Sequence, residues 1–336
     1  MKSELIHTTP KISVVVPIYN IAEYVPALFD AIRAQTFCDF EVILIDDGST
    51  DESAPLCDAF AASDKRVRVI HKENGGLSSA RNAGTATALG SWITYVDGDD
   101  SIHPDYLRVL YDLATTTDAQ IACVRSIAVT SAPRSWEPYP ARKTEVLSGR
   151  GMALRLSRNA EADDITAWGK LYDASLKELL LYPTGKVHED EFVTYKVMYA
   201  ATHVVRSSFQ GYAYIQRAGS ISHTFTIGRL DRLEALRGAI DFYCRQGDDE
   251  CANYARKRYL LNIPMSYYRA ARGGADASVL FDLRELHRTY RAKWRKRLGT
   301  LMSAREKAMD AAFAASPALY CLVSRAYLRL FQGERG

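Results

Sequence analysis

The chain has 336 residues, 47% hydrophobic and 25% charged, a balance that excludes intrinsic disorder and collagen-like or low-complexity structure. It has no apolar run of about 18 residues, so no membrane-spanning helix is expected, and MKSELIHTTPK has no apolar segment before Lys11, so no secretory signal is expected. The net charge of +3 hides a split: residues 1–229 hold 23 Lys/Arg against 28 Asp/Glu, while residues 230–336 hold 20 against 12, which points to chemistry in front and docking behind.

Ile12–Ile18 is a β-branched run without charge, as a strand buried on both faces should be. Glu23–Gln35 has helical spacing, with Val25, Leu28, Phe29 and Ile32 on one face. Phe40–Ile45 reads as a strand and Asp51–Ser63 as a helix, with Ser49 or Thr50 placed to cap it. Val67–His71 is a third strand, Leu77–Leu89 a third helix ended by Gly90, and Trp92–Val96 a fourth strand. This alternation predicts an α/β fold: a Rossmann-like, mostly parallel sheet with helices on both faces. Right-handed crossovers then gather the strand C-terminal ends at one edge, where ligands bind.

Further on, Tyr106–Ala114 is expected to be helical, Gln120–Ala128 a strand and Ala132–Pro140 a loop. Glu189–Ala200 reads as a helix, and Val204–Ser207 and Tyr212–Gln216 as short strands. From about 229 the pattern is helical. The expected organisation is a domain over 1–225, with halves at 12–115 and 116–225, followed by a helical region over 226–336. The six cysteines, Cys38, Cys57, Cys123, Cys244, Cys251 and Cys321, form no CxxC pair and no zinc spacing, which suits free thiols in a reducing cytoplasm.

Three acidic segments fall where such a sheet places ligand groups. Asp46-Asp47-Gly48-Ser49 follows the second strand, Asp97-Gly98-Asp99-Asp100 the fourth, and His188-Glu189-Asp190-Glu191 opens a helix. So much like charge at one edge calls for a positive partner. A hard divalent cation, Mn²⁺ or Mg²⁺, takes carboxylate, phosphate and water oxygens, so a nucleotide diphosphate is the expected ligand. The turn after the first strand reads Pro17-Ile18-Tyr19-Asn20, not G-x-G-x-x-G, which argues against a dehydrogenase; no Walker A sequence appears.

Four ordered segments, SVVVPIYN (13–20), FEVILIDDGSTD (40–51), ENGGLSSARNAG (73–84) and YVDGDD (95–100), resemble the nucleotide-sugar-binding half of family 2 glycosyltransferases, which have the GT-A fold. WGKLY (168–172), GKVHEDEF (185–192) and YAYIQRAGSIS (212–222) resemble the acceptor half of bacterial members that build surface polysaccharides. The resemblance covers about 12–225.

The resemblance implies that Pro17 and Tyr19 lie against the nucleotide base and that Asp47 accepts a hydrogen bond from it. Gly76 lets the backbone approach the ligand, and Arg81 serves phosphate, the acid cluster or a structural salt bridge. Asp97 is expected on ribose or sugar and Asp99 on the metal, while Asp100 binds the metal or caps the next helix. Asp190 is the implied catalytic base, with Glu189 orienting the site. Trp168 and Lys170 are expected near the acceptor, Trp168 on a sugar ring or in buried packing. Arg217 and Ser220 belong to a loop expected to close over the diphosphate, and His223 is a metal ligand or structural.

The basic stretch HRTYRAKWRKR (287–297) interleaves six Lys/Arg with Tyr290 and Trp294, which suits an anionic membrane surface, and Ala311–Leu330 is a second apolar helical stretch. The implied activity is inverting transfer of a sugar from a nucleotide-diphosphate donor, UDP-linked, to a hydroxyl of a bacterial surface glycan, with lipid-linked glycans among the acceptors. The expected place is the cytoplasm, at the inner face of the cell membrane, with peripheral contact through 287–330 and no nucleic acid partner. A nucleotidyltransferase would need a glycine- and basic-rich loop after the first strand, which is missing. A non-catalytic glycan- or membrane-binding protein would have little use for Asp99 together with Asp190.

Overall fold

The structure is a computed structural model, and it describes residues 9–133, 135, 136, 143–216 and 226–331. They divide into two compact units, 1–156 with 160–218 and 157–159 with 219–336.

The first unit opens with four strands, β1 (Ile12–Ile18), β2 (Phe40–Asp46), β3 (Val67–His71) and β4 (Trp92–Tyr95), joined through α1 (Val25–Arg33), α2 (Ser53–Ser63) and α3 (Gly76–Thr87). The strands are parallel in the order β3-β2-β1-β4. Every residue of β1 and β2 is buried, as continuous apolar runs require when both faces are covered. Side chains alternate between the faces. Val14, Val16 and Ile18 join Leu28, Phe29 and Phe60 in one core layer, while Val15, Ile43 and Ile45 join Ala80 and Tyr95 in the other. The α3 backbone comes so close to β1 that a Cβ on Gly84 would lie 2.3 Å from Val15 Cγ1, and this approach carries Arg81 to the sheet edge.

The α2 helix begins at Ser53, and neither Ser49 nor Thr50 caps it. Asp51 instead accepts from the N–H groups of Ser53 and Ala22, while Ser49 and Thr50 bind Asn20 after β1. The residues expected as caps thus brace the neighbouring loop.

Beyond β4 come β5 (Ser101–Ile102), α4 (Tyr106–Thr116), β6 (Ile121–Val129), β7 (Thr144–Ser148), α5 (Gly149–Asn159), α6 (Ala162–Ile165), β8 (Lys170–Asp173), α7 (Asp190–Ala200) and β9 (His203–Ile215). The whole sheet runs β3-β2-β1-β4-β8-β6-β9-β5, with β7 on β9. It is mixed in this half, because β8 enters antiparallel between β4 and β6. The two short strands expected after 203 are one strand, β9. Its polar middle, Ser207–Gly211, continues because β9 pairs with β6 over most of its length, with β7 near its start and β5 near its end. Most of the Ala132–Pro140 loop lies outside the described residues.

The second unit consists of α8 (Asp231–Arg245), α9 (Asp249–Arg272), α10 (Ala277–Leu298), α11 (Ala304–Ala315) and α12 (Pro317–Phe331). Asp310 of α11 binds both His287 (2.9 Å) and Arg291 (2.7 Å) of α10. The apolar stretch Ala311–Leu330 is not one helix but breaks at Ser316, with Pro317 opening α12 where its missing N–H costs nothing. Nor does Trp294 face outward with the basic side chains. It is buried against Tyr259 of α9 and Tyr290 of its own helix, because an indole packed between helices removes more apolar surface from water than one on the rim. No helix among the described residues is long and apolar enough to cross a membrane.

Candidate active site

In the order 3-2-1-4 the chain steps from β1 to β2 and β3 on one side and then crosses back to β4 on the other side of β1, so the strand order reverses at β1. The crevice outside the strand C-terminal ends there is where an open α/β sheet binds ligands. Tyr19 stands there just past β1 with 49% of its surface exposed, an aromatic face open to a planar group. Its backbone is fixed by Asn20 at φ 50°, whose Oδ1 accepts from the Thr50 N–H.

Asp46 ends β2 and braces the turn by accepting from the Ser49 N–H, while His71 of β3 binds its other oxygen at 2.8 Å. Burial alone would raise its pKa, but the His71 and Ser49 hydrogen bonds outweigh that and hold it below the usual value. Asp47 turns the other way. It accepts from the N–H groups of Gly75 (3.1 Å) and Gly76 (2.7 Å) and from Lys72 Nζ, so it seals the α3 N-terminus. Asp47 and Gly76 therefore meet each other directly. Of the three donors on Asp47, only Lys72 sits at the end of a flexible side chain that a ligand can displace. Sequence reasoning passed over Lys72, although a lysine directly after β3 was the available signal.

The Asp97–Asp100 turn packs on the end of β1. A Cβ on Gly98 would lie 2.8 Å from the Pro17 carbonyl oxygen and closer still to the Ile18 and Ile21 methyl groups. Gly98→Ala is therefore expected to lower the urea midpoint by the equivalent of about 1–3 kcal/mol with an unchanged m value, as overpacking does.

Asp100 does not reach the cleft. It is buried, accepts from the Tyr212 hydroxyl (2.7 Å) and the Ile215 N–H (2.8 Å), and is pushed up to about 8 by burial and by the charges of Asp97 and Asp99. Both its oxygens are turned to β9, so it neither caps the next helix nor points to the cleft where an ion was expected. Asp99 is partly exposed. Among the described residues no three acids, histidines or cysteines form a cage for a metal ion. Mg²⁺ and Mn²⁺ are typically held by one or two carboxylates plus substrate phosphates, so the hard oxygen donors of this turn suit such an ion.

Arg81 is the hub. Only 1% exposed, it donates through Nη1 to Glu189 (2.6 Å) and Asp190 (3.0 Å), and through Nη2 to Asp97 (2.8 Å). Burial works against its charge, but the three carboxylates overcome this and hold it firmly protonated. One guanidinium from α3 thereby joins the acid turn after β4 to the N-terminus of α7, and four predicted site residues meet. The side chain of Asp190 keeps 16% exposure. Burial pushes its carboxyl up to about 7, with Arg81 opposing and Glu189 and Asp97 adding to the rise. The Ala167 N–H donates to it.

The WGKLY segment supports this cluster from behind. Trp168 is 8% exposed and stacks on Tyr212 with ring centroids 4.4 Å apart. Tyr212 in turn accepts from the Asp97 N–H and donates to Asp100. Trp168 thus sits in the buried packing that was its alternative reading, beneath the acid turn. Lys170 is fully buried and donates to the carbonyls of Asp163 and Thr166, both at 2.5 Å. That corrects its expected place at an acceptor or diphosphate: it ties down the loop that presents the Ala167 N–H. Burial lowers its pKa. Arg217, Ser220 and His223 lie outside the described residues.

The family model for glycosyl transferase family 2 matches residues 13–179. The chain is 33% identical to glycosyltransferase GlyG of Streptococcus pneumoniae serotype 4 over 222 residues, 63% of this chain and 73% of that one. It is 34% identical to glycosyltransferase GlyA of the same organism over 268 residues, 78% of this chain but only 38% of that longer protein. Its fold matches the crystal structure of S. aureus TarS 1–349 in complex with UDP-GlcNAc at a TM-score of 0.72, with 18% identity, over 95% of this chain and 92% of that one.

Proposed function

Because the chain belongs to glycosyl transferase family 2 and is a glycosyltransferase, we propose that it moves a sugar, with inversion, from a UDP-linked donor to a hydroxyl of a bacterial surface glycan. The UDP-GlcNAc bound by TarS supports a nucleotide-sugar donor of this kind. Tyr19 offers a stacking face for the base beside the Pro17 backbone, and Asp47 with Gly76 borders the same pocket once Lys72 yields. Asp97 faces the ribose or sugar. Asp99 would hold a Mn²⁺ or Mg²⁺ ion, which when bound neutralises charge on the departing diphosphate.

The observation that carries the reading is Asp190, an acid at a helix start, still reachable from solvent and pushed up to about 7. A base is most useful when its pKa lies near the working pH. Its carboxylate takes the proton of the acceptor hydroxyl as that oxygen bonds to the anomeric carbon. The bond from that carbon to the diphosphate oxygen breaks, and its electron pair leaves with the diphosphate. Glu189 shares Arg81 with Asp190 and so orients it. Lipid-linked glycans are among the proposed acceptors, with the enzyme at the inner face of the membrane. The exposed side chains of Leu319, Leu322 and Val323, one stripe of α12, support peripheral contact there.

The test is release of nucleoside diphosphate from a panel of nucleotide sugars, with and without EDTA. Release that needs a divalent ion, and that is lost in Asp99→Ala with the thermal melt preserved, is the expected result. No release from any donor would overturn the proposal.

A further inference from the structure

The second unit carries a groove lined by none of the residues proposed for sugar transfer. It has a volume of about 510 Å³ and lies between α8 and α10, with α9 beneath. Arg237 and Asp241 line it from one turn of α8, Lys293, Trp294 and Arg297 from one face of α10, and Arg256 from α9. Four cations thus face one carboxylate.

Arg256 is the informative residue, because it is 8% exposed yet has no carboxylate partner among the described residues. Its guanidinium donates to Asn253 Oδ1 at 2.7 Å and to the Cys244 sulfur, neither of which carries a counter-charge. Arg237, Lys293 and Arg297 likewise make no ion pair among the described residues. Neighbouring cations on the same helices do find acids: Lys257 binds Glu306 and Arg291 binds Asp310. Burying a guanidinium without a counter-ion, and crowding like charges beside it, costs stability unless an anion sits there. Arginine forks match phosphate oxygens in two-point contacts, and lysine adds a point charge.

The size adds a constraint. About 510 Å³ is larger than a bare phosphate needs and falls within the range of ordinary ligand pockets, roughly 300–1,000 Å³. The buried face of Trp294 gives the groove an apolar wall. We propose that this groove binds a phosphate ester, with the phosphate on Arg256, Lys293 and Arg297 and the organic substituent against Trp294. The ester is either a soluble molecule or the headgroup of a membrane lipid.

The experiment uses the full chain in EDTA, so that divalent-dependent donor binding is silent. The probes are glycerol 3-phosphate, read by calorimetry and thermal shift, and vesicles of phosphatidylcholine with or without phosphatidic acid, read by co-sedimentation. The variants are Lys293→Gln with Arg297→Gln, both exposed, and separately Arg256→Gln. Binding of glycerol 3-phosphate that weakens by about tenfold or more in the exposed double variant supports the site and a soluble ester. Binding only to vesicles containing phosphatidic acid, lost in the same variant, supports the site and a lipid headgroup. No binding of either probe to the wild-type chain, or equal binding by wild type and both variants, overturns it. Donor turnover in the double variant stays at the wild-type level, so this proposal and the transfer proposal fail separately.

Discussion

Asp190→Asn is expected to lower kcat by about 10³-fold while leaving donor affinity unchanged, because general base catalysis is typically worth about 10²–10⁴-fold and the amide cannot accept the hydroxyl proton. The substitution keeps the size and position of the side chain, so calorimetric titration with the donor should give wild-type affinity. The pH profile supplies an independent check. A carboxylate that must be ionised to act, and whose pKa is pushed up to about 7, is progressively lost to protonation as the pH falls below that value. In the wild type, kcat/KM should rise about tenfold per pH unit on the acid side and level off above about 7. An unperturbed Asp would put that limb near pH 4. Loss of donor affinity with turnover intact would contradict the assignment, as would a flat profile between pH 5 and 8.

The sheet edge was legible in the sequence because two local signals agree there. Runs such as Val14–Val16 and Ile43–Ile45 are short and rich in β-branched residues, which favours a buried strand over a helix, and each ends in polar residues where the chain must turn. The meeting of Arg81 with Asp97, Glu189 and Asp190 was legible only in part. The acids stand out in the sequence, but which of them the arginine would touch depends on how closely α3 packs on β1, and Gly84 decides that. Trp168, Lys170 and Asp100 could not be placed in advance for one shared reason. Each is a polar or amphipathic side chain whose partners come from distant segments, the aromatic rings of β9 or the carbonyls of 163–166. Sequence spacing marks such residues as notable without saying whether they face ligand or protein. The aromatic residues of 290–294 follow the same rule: interleaving with Lys and Arg suggested a surface, and helix packing turned Trp294 inward.

Arg81→Met should cost the fold about 3–5 kcal/mol, since removing one member of a buried ion cluster strands the rest. Here the stranded groups are Asp97, Glu189 and Asp190, which are left to repel one another. The loss should itself depend on pH, and its sign follows from the cluster. Without Arg81 the opposing influence on Asp190 is gone, so its folded pKa rises further above the unfolded value near 4. A carboxyl with a raised folded pKa contributes stability that is fully present below about pH 4 and is lost as pH climbs through the folded pKa. Urea melts of Arg81→Met should therefore show a smaller deficit against wild type at pH 5 than at pH 8. Arg81→Lys keeps the charge but presents no planar fork, so it cannot bridge the acid turn and the α7 N-terminus together. That variant should recover much of the stability while turnover stays low, because Asp97 and Asp190 are no longer held by one rigid group. A deficit in Arg81→Met that grows toward acid pH would mean that the arginine is not the charge partner of these acids.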